Sequence, residues 1–275
     1  MAETARPAEG GRPLPAFGFA VPIAALGGLI GLGGAEFRLP VLAGPLGYPA
    51  RRAVPLNLAV SLVTLATAAV TRGRTLSPDA LRPFAPVLAA MAAASVAGAL
   101  AGTALQGRLS NRQLERLIMF LLLGIGVAQV VEGVLDQPPR TRVPDGIAWR
   151  AGTGAAFGLA IGVVSSLLGV AGGELIIPTF VFAYGADIKT AGSASLLIGL
   201  VTVTAGIVRY ARRGEYRGRA TMAGTVAPMA AGSVLGAVAG GLMVGVISSA
   251  ALKVGLGVIL VVSAVRTFQH RHQAT

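Results

Sequence analysis

The sequence predicts an all-α polytopic membrane protein of about eight hydrophobic segments, arranged as two tandem four-segment repeats. Three observations lead there. First, 54% of the 275 residues are hydrophobic and 12% are charged, with a mean hydropathy of +0.73, whereas soluble domains carry roughly 25% charge. Second, apolar runs recur along the whole chain, most of them near the ~20 residues a helix needs to cross a bilayer. Third, many features of the first half return at a fixed offset of 138 residues in the second. The 39 glycines suit close helix contact in lipid, where packing drives association.

The segments are expected at about Ala16–Leu46, Ala53–Val70, Phe84–Leu105 and Leu114–Leu135, then Ala151–Tyr184, Thr190–Tyr210, Met222–Val246 and Ser249–Val265. This gives a disordered cytoplasmic tail (1–15), a first membrane repeat (16–135), a linker (136–150), a second repeat (151–268) and a C-terminal tail (269–275). The linker is polar and proline-rich, and Trp149 after it suits the headgroup boundary. The first and fifth segments approach 30 residues, long enough for a tilted helix or for two half-helices in a re-entrant hairpin.

The offset pairs Gly31, Gly34, Glu36 and Pro40 with Gly169, Gly172, Glu174 and Pro178. It also pairs Gly47 with Gly185, Val63-Thr64 with Val201-Thr202, Arg74 with Arg212, and Gly98, Gly102 and Gly107 with Gly236, Gly240 and Gly245. A single ungapped offset of this length reads as a tandem duplication.

Net charge is +12, but the basic residues sit in short connectors between apolar runs. That is positive-inside bias, and it excludes nucleic acid as the partner. If every segment crosses, one side receives 15 Lys and Arg and the other 7; if segments one and five are re-entrant, the halves become inverted and the counts are 14 and 8. Both readings place the two termini in the cytoplasm. No cysteine is present, which excludes disulfides and thiolate metal sites. No metal ligation set or cofactor motif is visible, and no phosphate loop suggests ATP drive.

The chemistry concentrates in two stretches, Gly28-Leu-Ile-Gly-Leu-Gly-Gly-Ala-Glu-Phe-Arg-Leu-Pro40 and Ser166-Leu-Leu-Gly-Val-Ala-Gly-Gly-Glu-Leu-Ile-Ile-Pro178. Glycine and proline weaken a helix and free backbone groups that lipid cannot satisfy, so such stretches line a cavity or lie buried in protein. Two broken segments at matching positions mark the binding site of a transporter. Glu36 and Glu174 are costly at membrane depth and suit proton coupling or gating; the plainer role is to satisfy backbone freed by the glycines. Pro40 and Pro178 are expected to break the helices. Gly33, Gly34, Gly172 and Gly173 could offer backbone N–H groups to an anion, helped by a half-helix N-terminus. Arg38 suits an oxyanion through its guanidinium fork; otherwise it pairs with Glu36 or snorkels to the interface. Asn57, its counterpart Ser195 and nearby Ser193 add amide and hydroxyl groups for substrate or for bonds within and between helices.

The two glycine-rich stretches resemble the doubled signature of the TauE/SafE family, the sulfite exporter permeases, in which a glycine-rich run precedes a proline in each repeat. The continuation Ala191-Gly-Ser-Ala-Ser-Leu-Leu and Arg209-Tyr-Ala-Arg-Arg-Gly214 is also similar, and the likeness covers nearly the whole chain after the tail. It implies a bacterial inner-membrane permease, not an enzyme, that moves sulfite, organosulfonates or related small anions by a secondary mechanism, with proton coupling as an option. Its partners are then a small anionic substrate and the lipid bilayer, with a homo-oligomer left open. The sequence departs from the family pattern at Ala35 and Ala171, where glycine is usual, and at Arg38, whose counterpart is Ile176. An anion channel is one rival class. A membrane-embedded enzyme is the other, but the only histidines, His270 and His272, lie in the C-terminal tail.

Overall fold

The computed structural model describes residues 12–105, 141–168 and 171–258, with isolated positions between 123 and 134 and at 261. The expected fourth segment (Leu114–Leu135), the end of the eighth, most of both tails and the start of the linker therefore lie outside the described residues. Those residues are helical throughout apart from connectors, and their only strand-like contact is a single bridge between Thr141 and Tyr184.

The helices are α1 (Pro13–Ile30), α2 (Ala35–Ala43), α3 (Ala50–Thr75), α4 (Ala85–Leu105), α5 (Ile147–Leu168), α6 (Gly173–Tyr184), α7 (Ile188–Arg212), α8 (Arg219–Met243) and α9 (Ser249–Val258). A 3₁₀ turn, Pro78–Phe84, leads into α4, and Met222–Val226 is a π-helical turn within α8. Six of these stretches are long and apolar enough to cross a membrane: Pro13–Ile30, Arg52–Thr75, Asp79–Gly102, Ile147–Ser166, Ile188–Arg212 and Arg219–Met243. The first helix begins earlier than its apolar run, because Pro13 occupies N1, where proline's fixed φ and missing N–H cost nothing.

The long first and fifth segments each divide into two helices, α1 with α2 and α5 with α6. Pro40 and Pro178 do not make these divisions. Both lie inside helices, and the chain breaks at the glycines before them. Three of the four residues from Gly31 to Gly34 have φ of 98°, 80° and 73°, a region that costs an L-residue about 1–2 kcal/mol.

The chain forms two compact units. One contains α1, α2, α3, the part of α7 from Leu196 onward, and α8. Ala20 of α1, Leu42 of α2, Val60 of α3 and Met229 of α8 share one of its apolar clusters. Backbones in this unit approach closely along a small-residue face: Gly232, Gly236 and Gly240 of α8 lie against the carbonyls of Phe17, Val21 and Ala25 of α1. The other unit contains α4, α5, α6, α7 up to Ser195, and α9. There Gly98 and Gly102 of α4 lie against the carbonyls of Leu159 and Val163 of α5, while Gly158 and Gly162 of α5 meet those of Met91 and Ser95. These glycines are helix-packing positions, and any added Cβ would press on backbone that cannot rotate away.

Gly236→Leu should therefore lower stability by at least about 2 kcal/mol through overpacking, read as thermal unfolding of the purified protein in detergent. Gly18→Leu, on the same helix pair but with nothing within 4 Å of its notional Cβ, should leave the transition nearly unmoved.

Candidate functional site

Each glycine break folds the chain back along its own helix. After Ile30 the backbone turns so tightly that a Cβ on Gly34 would fall 3.0 Å from the carbonyl oxygen of Ile23, and one on Gly27 would fall 3.0 Å from the amide of Gly34. Leu65 of α3 closes over Gly33, 2.8 Å from where its Cβ would stand. The returning α2 then ends beside the start of α1, where Arg12 Nη1 donates to the carbonyl of Pro45 at 3.3 Å. The turn comes level with Ile23, ten residues into α1. At ~1.5 Å per residue that is ~15 Å along α1 from its first residue.

The second break is built alike from its own residues. Gly172, with φ 80°, lies against Ser165 and Ile161 of α5. The far end of α6 returns to the start of α5, where the Tyr184 hydroxyl meets Thr153 Oγ1 at 3.0 Å and its ring stands edge-on to Phe157. Thr141 Oγ1 and the Arg142 amide close this end by donating to the carbonyls of Tyr184 and Ala183 at 3.1 and 2.9 Å.

Glu36 and Glu174 occupy the first turns of α2 and α6. Glycine caps both helices and supplies no side-chain oxygen to their first N–H groups. Glu174 is buried. Glu36 is stranger: both of its carboxylate oxygens are buried and neither has a hydrogen-bond partner. The prolines add to this. Pro40 has no N–H for the carbonyl four residues before it, which is Glu36's own, and Pro178 stands in the same relation to Glu174. Each proline thus withdraws a donor from the backbone carbonyl of the glutamate rather than breaking the helix.

Arg38 is fully buried and does not pair with Glu36. Two residues apart on a regular helix, the two side chains leave in different directions. Its Nη1 donates to Asn57 Oδ1 at 3.2 Å and Ser61 Oγ at 2.9 Å; its Nη2 donates to Thr64 Oγ1 at 3.0 Å and the Gly33 carbonyl at 3.3 Å. Asn57 Nδ2 closes the network by donating to the Ala35 carbonyl at 3.1 Å. The guanidinium thus ties α2 and the glycine turn to one face of α3, and its two terminal nitrogens are taken up by protein acceptors. Ser61 and Thr64 were not among the residues expected from sequence. Their signal was there: Asn57, Ser61 and Thr64 recur at i, i+4 and i+7 on an apolar helix, a polar stripe that requires a buried partner.

Among the other expected residues, Gly173 is the buried first residue of α6. Ser193 bonds within its own helix, donating to the Lys189 carbonyl at 3.1 Å. Ser195 is buried with its hydroxyl unpartnered. No group of His, Cys, Asp or Glu among the described residues could hold a metal.

A family model for the sulfite exporter TauE/SafE matches residues 16–267. The chain belongs to the TauE/SafE family. No individually curated protein and no solved structure matches it. Membership makes the chain a multi-pass membrane transporter rather than an enzyme, with a small anion as its cargo and lipid around it. Both glycine breaks with their carboxylates lie within the matched residues.

The Arg38 network carries a prediction drawn from the second half, where Ile176 and Gly199 stand at the offsets of Arg38 and Ser61. Arg38→Ile alone strands buried acceptors and Ser61→Gly alone strands a buried donor, each costing about 1–3 kcal/mol. Combined, they should cost clearly less than their sum, measured as a double-mutant cycle on thermal unfolding. Strict additivity would mean the two residues do not act as a pair.

Proposed function

We propose that this TauE/SafE chain is a secondary permease that exports sulfite, an organosulfonate or a related small sulfur oxyanion, and that the break before α2 is where the anion meets a proton. The observation that supports this most is the orphan carboxylate of Glu36, about halfway along the depth of α1 and in the first turn of a glycine-capped helix. The open amides of Gly34 and Ala35 offer donors to an oxyanion. Arg38 supplies a fixed positive charge from behind them, acting through its field while its two terminal nitrogens hold the turn in shape. With Glu36 ionised, the pair Glu36 and Arg38 is neutral, and an arriving anion would face the carboxylate. Protonating Glu36 removes that repulsion and leaves Arg38 to balance the cargo. One proton per monovalent anion follows, so the cycle carries no net charge. Gly172, Gly173 and Glu174 would give the second break its amides and titratable group without a cation beside them, with Ser195 as a spare hydroxyl there.

The proposed architecture is a duplication with inverted halves, in the bacterial inner membrane with both termini cytoplasmic. Its support is a set of contacts that repeat at the sequence offset of 138: Gly98 against Leu159 and Gly102 against Val163 correspond to Gly236 against Val21 and Gly240 against Ala25. Both first segments double back, so each half makes three full crossings, counting the apolar runs that lie outside the described residues. An odd number of crossings per half is the condition for inverted repeats.

Two experiments test these readings. In proteoliposomes, an imposed pH gradient should drive sulfite or sulfonate flux while a membrane potential alone should not, and Glu36→Gln should abolish the gradient's effect. Gradient-driven flux that survives in Glu36→Gln would remove the carboxylate from the mechanism. For the threading, the cysteine-free chain accepts single reporters. Asp145→Cys should react with a membrane-impermeant maleimide on intact cells, and Pro45→Cys only after permeabilisation. The reverse pattern would mean that the first and fifth segments cross fully.

A further inference from the structure

The turn joining α7 to α8 is rich in arginine. From Arg209 to Arg219 the chain carries five arginines and one acid, Glu215. Arg212, Arg213, Arg217, Arg219 and Glu215 are exposed. Both ways of threading the chain put this turn on the side richer in Lys and Arg, and that cytoplasmic surface is where anionic lipid headgroups lie.

Beside the turn is an open groove of about 570 Å³ lined by Tyr216, Arg219, Met222, Ala223, Val226 and Ala227. Its volume is in the ~300–1,000 Å³ range of small-molecule sites. Tyr216 forms one wall because its hydroxyl is committed elsewhere, donating to the Pro55 carbonyl at 3.0 Å. Burial, with Tyr210 and Glu215 adding to it, pushes the Tyr216 phenol up, so it remains a neutral donor. The floor is the π-helical turn Met222–Val226, a wide turn of the kind that recurs at functional sites. Thr225 in that turn is held from behind by the Tyr48 hydroxyl at 2.7 Å. Arg219 stands at the lip, and its side chain has no hydrogen bond or ion pair among the described residues. Arg219 is also the first residue of a candidate membrane span. Val226 lies seven residues further along the helix, ~10 Å deeper at ~1.5 Å per residue. A cation at headgroup height therefore sits directly above an apolar trough at acyl-chain height.

We propose that this groove binds an anionic phospholipid, its phosphate against Arg219 and the neighbouring arginines, and one acyl chain along Met222, Ala223 and Val226. Tyr216 suits the junction of the two because it presents an apolar ring below a polar edge. The site is independent of the anion pathway and uses none of its residues.

The test is native mass spectrometry and thermal unfolding of the full-length protein in detergent. The probes are phosphatidylglycerol, phosphatidylcholine of the same chain length, and glycerol phosphate as the headgroup without chains. Phosphatidylglycerol should remain bound as a single copy and raise the unfolding temperature, with phosphatidylcholine and glycerol phosphate at least tenfold weaker. Arg219→Gln should weaken phosphatidylglycerol at least tenfold. Ala223→Trp, which fills the trough, should weaken it comparably while preserving the preference for the anionic headgroup. Equal retention of the two lipids, glycerol phosphate binding as tightly as the lipid, or undiminished binding in both variants would each overturn the proposal.

Discussion

Hydrocarbon offers no hydrogen bonds, and the structure follows from where the chain defies that fact. A continuous helix satisfies its own backbone and can stand in lipid anywhere. The turn from Gly31 to Gly34 cannot. It must lie against protein, and so α1, α2 and α3 close around it: Ile23 and Gly27 on one side, Leu65 on another, and the Arg38 guanidinium reaching back to the Gly33 carbonyl. Those same requirements leave donors and acceptors inside an apolar segment, where lipid would supply none. The feature that is hardest to fold is therefore also the one able to recognise a polar cargo.

The two breaks share a design but not a chemistry. In the first, a cation holds the returning helix to three polar side chains of α3. In the second, Ile176 occupies the position of that cation and is buried, with Gly199 where Ser61 would stand. The cation and one of its three side-chain acceptors are absent together, while Ser195 and Thr202 keep hydroxyls at the offsets of Asn57 and Thr64. Glycine and glutamate are kept in both, and these are the residues through which backbone amides and a titratable group reach the interior.

Much of this was legible in the sequence because it depends on local chemistry. Glycine runs inside apolar segments announced the breaks, and the abundance of small residues announced close helix faces, while for Arg38 the sequence left an anion, Glu36 and the interface all open as partners. Pro40 and Pro178 misled because proline was read as a breaker. In a helix of nine or twelve residues the ring is accommodated, and its effect falls on the carbonyl of the glutamate before it. The partners of each helix were not legible at all. That α8 lies on α1, and α4 on α5, is set by complementary surfaces far apart in sequence, and a stripe of glycines does not say which carbonyls it will meet. Ser61 and Thr64 were missed because a single hydroxyl in an apolar helix can always bond its own preceding turn, as Thr64 does with Val60 at 3.1 Å.

The Arg38 network also constrains how the protein is made. An arginine at the centre of a lone helix costs about 2.5–3.5 kcal/mol to insert by the cellular machinery, and α2 is too short to offset that with its own apolar surface. Its side-chain acceptors arrive only with α3, nineteen to twenty-six residues later in synthesis. The cost of inserting the first hairpin alone therefore favours its entry into the bilayer together with α3.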